Sequence, residues 1–264
     1  MARTYFLFLL VLLACSGCKL RLKPVSDAGD AGKVTIERYD RIESLFLTTG
    51  DFSALQQMNT SYPIQTRMLI EDVLHIGKAN DPEISKKFLH FFQDSTLVVM
   101  LRDVQEQYAD VDDLNEELTK AFSRLMEDVD GITLPQVYAQ VGSFDQSIIV
   151  GHQTLGISLD KYLGPDYPFY KDNYTEGQRK MMKREMIVPD CMGFYLLSLY
   201  PIPQELEDSQ VARDSHMGRI QWVVNRLTGR TVFNNAFVQK ADRMMKENAQ
   251  MTIDQLLRSK DTLN

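Results

Sequence analysis

One stretch of the 264-residue chain, Thr133 to Leu159, reads differently from everything on either side of it. Val137-Tyr138-Ala139-Gln140-Val141 and Ser147-Ile148-Ile149-Val150 are short and β-branched, and Gly142 to Gln146 separates them. Leu155-Gly156-Ile157-Ser158-Leu159 is a third run of the same kind. Runs like these bounded by turn residues predict strands, and three in succession predict a small antiparallel sheet. Helical spacing dominates the rest, so the sheet is an inset in a helical fold.

The clearest helix follows Asp112, where Leu114, Leu118, Ala121, Phe122, Leu125 and Val129 form a stripe at a period of 3.6. Ahead of it, Pro63 suits the first turn of a helix through Ile64, Met68, Val73 and Ile76, ended by Gly77. Asp81-Pro82-Glu83 opens a helix through Ile84, Phe88 and Phe91, and Asp94 or Ser95 caps another through Leu97, Leu101, Val104 and Tyr108. Beyond the sheet, helices are expected at Thr175-Glu176, from Pro189 to Leu199, and from Ser209 to Leu227 ahead of Gly229. Asn235 to Asn248 and Thr252 to Ser259 complete the set, and Val34-Thr35-Ile36 is a candidate short strand. The class is α+β, mostly α-helical with a small antiparallel sheet, in one domain over residues 34–264.

The amino terminus adds a destination. Arg3 gives a basic n-region, and Phe6 to Leu13 an apolar run that stops at Ala14-Cys15. Crossing a hydrocarbon core of about 30 Å takes roughly 20 helical residues, so this run reads as a cleaved signal and not an anchor helix. Val11-Leu12-Leu13-Ala14 before Cys15 has the form of a lipobox, with Cys15 as the lipidated residue; Cys18, after Ser16-Gly17, is the alternative. Residues 1–14 are then a lipoprotein signal peptide. Residues 15–33 are the lipidated terminus and a flexible tether containing Pro24, Gly29 and Gly32. Two or more acyl chains hold a protein stably at a lipid membrane.

Cleavage after Ala14 removes one charge, Arg3, leaving 28 of the 29 basic residues against 36 acidic ones, a net charge of −8. That balance opposes phosphate backbones, and nucleic acid is excluded as a partner. Cys18 and Cys191 are the cysteines left once Cys15 carries lipid, and Cys191, in an apolar stretch, reads as a buried free thiol.

Motifs for chemistry are sparse. The four histidines, His75, His90, His152 and His216, include no pair at the spacing of a helical zinc site. No nucleophile elbow, dinucleotide fingerprint or phosphate-binding loop occurs, so no cofactor and no catalytic residue is expected. His75 and His90 read as helix residues among apolar neighbours, and His152 as a turn residue at a strand edge. The segment Leu159 to Tyr170 stands out, packing four aromatics, two prolines, a glycine and two aspartates into twelve residues. A stiff aromatic loop locks onto a core or offers a recognition surface at low entropic cost, and both readings apply here. The candidate interaction residues are Asp160, Tyr162, Leu163, Gly164, Tyr167 and Tyr170.

That segment also carries a resemblance. Leu159-Asp160-x-Tyr162-Leu163-Gly164, then Tyr167-Pro168-x-Tyr170 and Ile187-Val188-Pro189-Asp190, resemble the GldB family of gliding-motility-associated lipoproteins of Bacteroidota. Val34-Thr35-Ile36-Glu37-Arg38-Tyr39-Asp40 is similar to that family's first strand and turn, and Gly142 to Ser147 to its sheet turn. The resemblance implies a lipid-anchored, non-enzymatic envelope protein that binds an envelope protein partner in gliding or secretion machinery. It also implies a degenerate zincin-like metallopeptidase fold, with the helix at Val188-Pro189-Asp190 and Gly218-Arg219 standing where the peptidases carry zinc ligands. The competing expectation is a metal-dependent hydrolase using His152, Asp190 and His216. Basic residues after the lipobox (Lys19, Arg21, Lys23) point to the outer membrane, facing the periplasm.

Overall fold

The computed structural model describes residues 32–142 and 144–263. Residues 1–31, which hold the expected signal segment, Cys15, Cys18 and most of the expected tether, lie outside the described residues, as do Ser143 and Asn264. From Lys33 onward the chain packs into a single unit. Among the described residues no helix is long and apolar enough to cross a membrane.

The sheet corrects the sequence reading in its pairing. Strands β1 (Gln136–Gln140), β2 (Ile148–Gly151) and β3 (Thr154–Ser158) fall within a residue or two of the expected runs, but their order is β1-β3-β2. β2 pairs antiparallel with β3 through the turn at His152-Gln153, whereas β1 pairs parallel with β3, so the sheet is mixed. The segment from Val141 to Ser147 is therefore a crossover and not a hairpin turn. It is held away from β1 by a carboxylate: Asp160 accepts from the backbone amides of Gly142 at 2.7 Å and Phe144 at 2.5 Å. A two-residue hairpin enforces antiparallel neighbours, while a longer excursion does not. β3 is buried along its whole length, and Gly156 is required there because a Cβ would sit 2.6 Å from the Tyr138 ring on β1.

Two helices precede the first one expected. α1 (Tyr39–Thr49) and α2 (Phe52–Ser61) are hidden from a periodicity reading because the buried face of α1 mixes Tyr39, Phe46 and Leu47 with Asp40, Glu43 and Ser44. Gly50, at φ 69°, ends α1 in the left-handed conformation, and Asp51 caps α2 by accepting from Ser53 N at 2.7 Å. Val34-Thr35-Ile36 forms no strand. One parallel bridge at Glu37 against Tyr138 extends the β1 edge, and the Thr119 and Asn115 side chains accept from the Val34 and Ile36 amides.

α3 (Pro63–Met68) runs into a single π-helical turn, Leu69–Val73, and stops short of Gly77. α4 (Ile84–Phe91) begins after Asp81 accepts from Glu83 N, so Pro82 sits in the preceding turn and not at the first helical position. α5 (Ser95–Gln107) is capped by Asp94, and α6 (Asp112–Asp128) buries Leu114, Leu118, Ala121, Phe122 and Leu125 as its stripe requires. After the sheet come the short α7 (Pro168–Asn173) and α8 (Glu176–Arg179). α9 (Ile187–Leu199) is apolar almost throughout and packs against α6, the sheet and α10 (Gln210–Thr228), with Phe194 and Leu199 left exposed on its outer side. α11 (Ala236–Glu247) packs on α10, and α12 (Ile253–Arg258) closes the chain.

Gly218 and Arg219 have structural roles. A Cβ on Gly218 would meet Phe237 Cβ at 2.5 Å, so glycine sets the approach of α11 to α10. Arg219, 1% exposed, donates to the carbonyls of Ser259 and Asp261 at 2.7 Å each and clasps the carboxyl-terminal strip.

Candidate functional site

The aromatic segment that follows β3 folds inward. Leu159–Lys161 makes one 3-10 turn and places Asp160 wholly in the interior. Tyr170, opening α7, accepts from Leu163 N at 3.1 Å and donates to the Asp160 carbonyl. Tyr108, ending α5, donates to the Tyr162 carbonyl at 2.7 Å. Of the residues expected to meet a partner, Asp160, Tyr162, Leu163 and Tyr170 are buried, while Gly164 and Tyr167 are partly exposed. Tyr167 spends its hydroxyl on Asp103 at 3.1 Å, and Gly164, at φ 109°, turns the chain where its amide donates to the Met182 carbonyl. The segment is thus a wedge that fixes its surroundings, and what it fixes is a cleft.

Phe144 forms the back of that arrangement. It is a bulky residue at φ 65°, a left-handed conformation that costs roughly 1–2 kcal/mol and survives only where neighbours over-determine it. They do so from both sides. Asp160 holds its amide, and its carbonyl accepts from Lys161 Nζ at 2.8 Å and from the Tyr174 hydroxyl at 2.9 Å. Its ring stacks on Phe169 with centroids 3.9 Å apart and planes 13° from parallel. Burial raises the Asp160 carboxyl above the usual carboxylate range, and the two amides and Lys161 pull it back.

In front lies a cleft of about 290 Å³ lined by Ser147, Lys161, Tyr162, Tyr174, Gln178, Met181, Met182 and Asp190. Asp190 belongs to the first turn of α9, in the otherwise apolar run Ile187 to Met192. Its Oδ2 accepts from the Tyr162 hydroxyl at 2.8 Å, and among the described residues no cation pairs with it. Burial therefore pushes its pKa up to about 6, with the Tyr162 hydroxyl acting in the opposite sense. Lys161 is turned away: its ammonium bonds the Phe144 carbonyl and the Tyr174 hydroxyl and lies 4.7 Å from the Tyr174 ring centre. Cys191, next along α9, is a free thiol sealed in the core, raised well above its ordinary range by burial and then by the Asp190 charge. Such a cysteine is inert, because the thiolate is the reactive form.

A second polar group lies deeper. Glu43 of α1 is fully buried, with one oxygen accepting from Val141 N at 2.9 Å. Burial, and then the charges of Asp40 and Asp160, hold its carboxyl well above the usual range, against the pull of the Val141 amide. Its other oxygen and the hydroxyls of Tyr39 and Tyr138 have no partner among the described residues. With no exposed surface, it belongs to the core.

The three residues of the hydrolase expectation do not converge. His152 is exposed on the β2–β3 turn, while His216 is buried on α10 with Nε2 2.9 Å from the Tyr200 carbonyl oxygen. Among the described residues no three His, Cys, Asp or Glu side chains are placed to share a metal ion. His75 lies just past the π-helical turn at φ 52° and is exposed, not set within a helix. What the cleft presents is one carboxylate titrating near neutrality, hydroxyl and amide groups, and two thioethers. That equipment recognises charge and hydrogen-bonding groups. Sequence reasoning named Tyr162 and Asp190 separately and missed Phe144, whose backbone strain leaves no trace in composition. A lone acid in an apolar helix start was the available signal for Asp190.

A family profile described as gliding motility protein GldB matches residues 23–234 of the 264, spanning the sheet, the aromatic segment, the cleft and α10. No curated protein and no solved structure matches the chain. The chain belongs to the GldB family.

Proposed function

We propose that this member of the gliding-motility GldB family is a lipid-anchored protein of the cell envelope that works by binding, without catalysis, as part of a motility-related assembly. The observation that carries the proposal is the family match, which takes in the wedge and cleft together. In this reading residues 1–14 are the signal, Cys15 (or Cys18) receives the lipid, and residues 15–33 tether the unit 34–264. The anchor sits at the outer membrane and faces the periplasm. Asp160, Tyr162, Leu163 and Tyr170 shape the contact surface from within, while Gly164 and Tyr167 lie at its rim. A strained residue held by several neighbours beside an open cleft is the usual form of a pre-organised recognition site.

The test is crosslinking and affinity capture of the tagged protein from intact envelopes, followed by mass spectrometry. A Cys15→Ala, Cys18→Ala double variant serves as the unanchored control. A defined envelope complex recovered with the anchored protein and absent from the control is the expected result. The same recovery from both would overturn the anchored-assembly reading. A metal-dependent hydrolase would instead retain zinc after metal loading; less than a tenth of an equivalent is expected.

A further inference from the structure

We infer that the cleft in front of Asp190 receives one cationic side chain, an ammonium or a guanidinium, presented by a protein partner. The inference rests on the binding reading of the protein and names the chemistry of the contact. Several observations converge on it. Asp190 is held by one hydroxyl donor, Tyr162, at 2.8 Å, and no described cation answers its charge. A partly buried carboxylate left this way is stabilised most by a positive group arriving from the open side. The cation already in the cleft wall, Lys161, is committed to the Phe144 carbonyl at 2.8 Å and the Tyr174 hydroxyl at 3.1 Å, so it does not fill that role.

The remaining walls suit an aliphatic stem with a charged tip. Met181 is 38% exposed at the mouth and Met182 lies deeper, and thioethers adapt to a variable stem. Tyr162 and Tyr174 line the same cleft as the carboxylate and add aromatic surface for the stem. At about 290 Å³ the cleft has room for one long side chain. The chain as a whole, with 36 acidic against 29 basic residues, favours a basic partner.

The test uses the full chain in detergent micelles with ¹³C-methyl methionine, so that Met181 and Met182 report occupancy and the other methionine methyls report the fold. Acetyl-Gly-Arg-Gly-amide and acetyl-Gly-Lys-Gly-amide are titrated against acetyl-Gly-citrulline-Gly-amide, the neutral isostere, and against free methylguanidinium. The expected result is saturable movement of the Met181 and Met182 signals with the basic peptides, at least tenfold weaker for citrulline and lost in Asp190→Asn. Absence of movement, equal response to citrulline, or an unchanged response in the variant would overturn the inference. Methylguanidinium binding as tightly as the arginine peptide would overturn its assignment to a partner's side chain. Should Asp190→Asn lose its methyl dispersion, the arginine–citrulline comparison in the unaltered chain decides. Since the titration contains no envelope component, its failure leaves the capture experiment standing, and the reverse also holds.

Discussion

Replacing Asp190 by asparagine should stabilise this protein, and should do so only where the carboxyl would be ionised. In the unfolded chain Asp190 titrates near 3.9, the usual value for aspartate. In the folded chain burial moves it up to about 6. Well below the unfolded value of about 3.9 the group is protonated in both states and costs nothing. As pH rises from 4 to 6 the unfolded chain releases the proton while the folded chain keeps it, so stability is lost across that window and stays lost above it. Two pH units correspond to about 3 kcal/mol, and access of water to the cleft trims this to roughly 2–3 kcal/mol. Asparagine removes the charge but keeps a carbonyl oxygen for the Tyr162 hydroxyl, which now donates at 2.8 Å. For a unit of this size that gain is on the order of 5–10 °C in Tm. The assay is thermal unfolding of both full chains across pH 4–8. Glu43 and Asp160 are raised too, but they are present in both proteins and cancel in the difference. Equal stability at pH 7.5, or a difference that does not change between pH 4.5 and 7.5, would refute the reasoning. A carboxylate that costs stability is what a binding site retains and a scaffold would discard.

Two further substitutions probe the frame around the cleft. Asp160→Ala leaves the Gly142 and Phe144 amides buried without an acceptor, and urea unfolding should show a loss of about 2–4 kcal/mol; Asp160→Asn, which can accept from one amide but turns a donor toward the other, should recover only part of it. Gly218→Ala drives a methyl to 2.5 Å from Phe237 Cβ and should cost about 1–3 kcal/mol, whereas Gly193→Ala, whose nearest neighbour is Val224 Cγ2 at 3.8 Å, should gain about 0.5–1 kcal/mol in the same assay.

Local pattern and tertiary pairing divide this molecule cleanly. The α6 stripe could be read residue by residue, because an amphipathic helix against a core needs apolar groups every 3.6 positions, and those from Leu114 to Val129 are buried. The strands were legible within a residue or two for the same reason, since β-branched runs bounded by turn formers report a local preference. Their pairing was not. Whether β1 lies beside β2 or beyond β3 depends on where the intervening chain is anchored, and the anchor is Asp160, eighteen residues after Gly142. α1 escaped notice because its inner face carries Asp40 and Glu43. Burial of a carboxyl becomes tolerable only when partners meet it, the neighbouring Arg38 and the distant Gln105 for one and the distant Val141 for the other. The cleft follows the same rule. Composition supplied Tyr162 and Asp190 as an aromatic and an acid, and the fold alone set them 2.8 Å apart in a place where burial brings the carboxyl's pKa near neutrality.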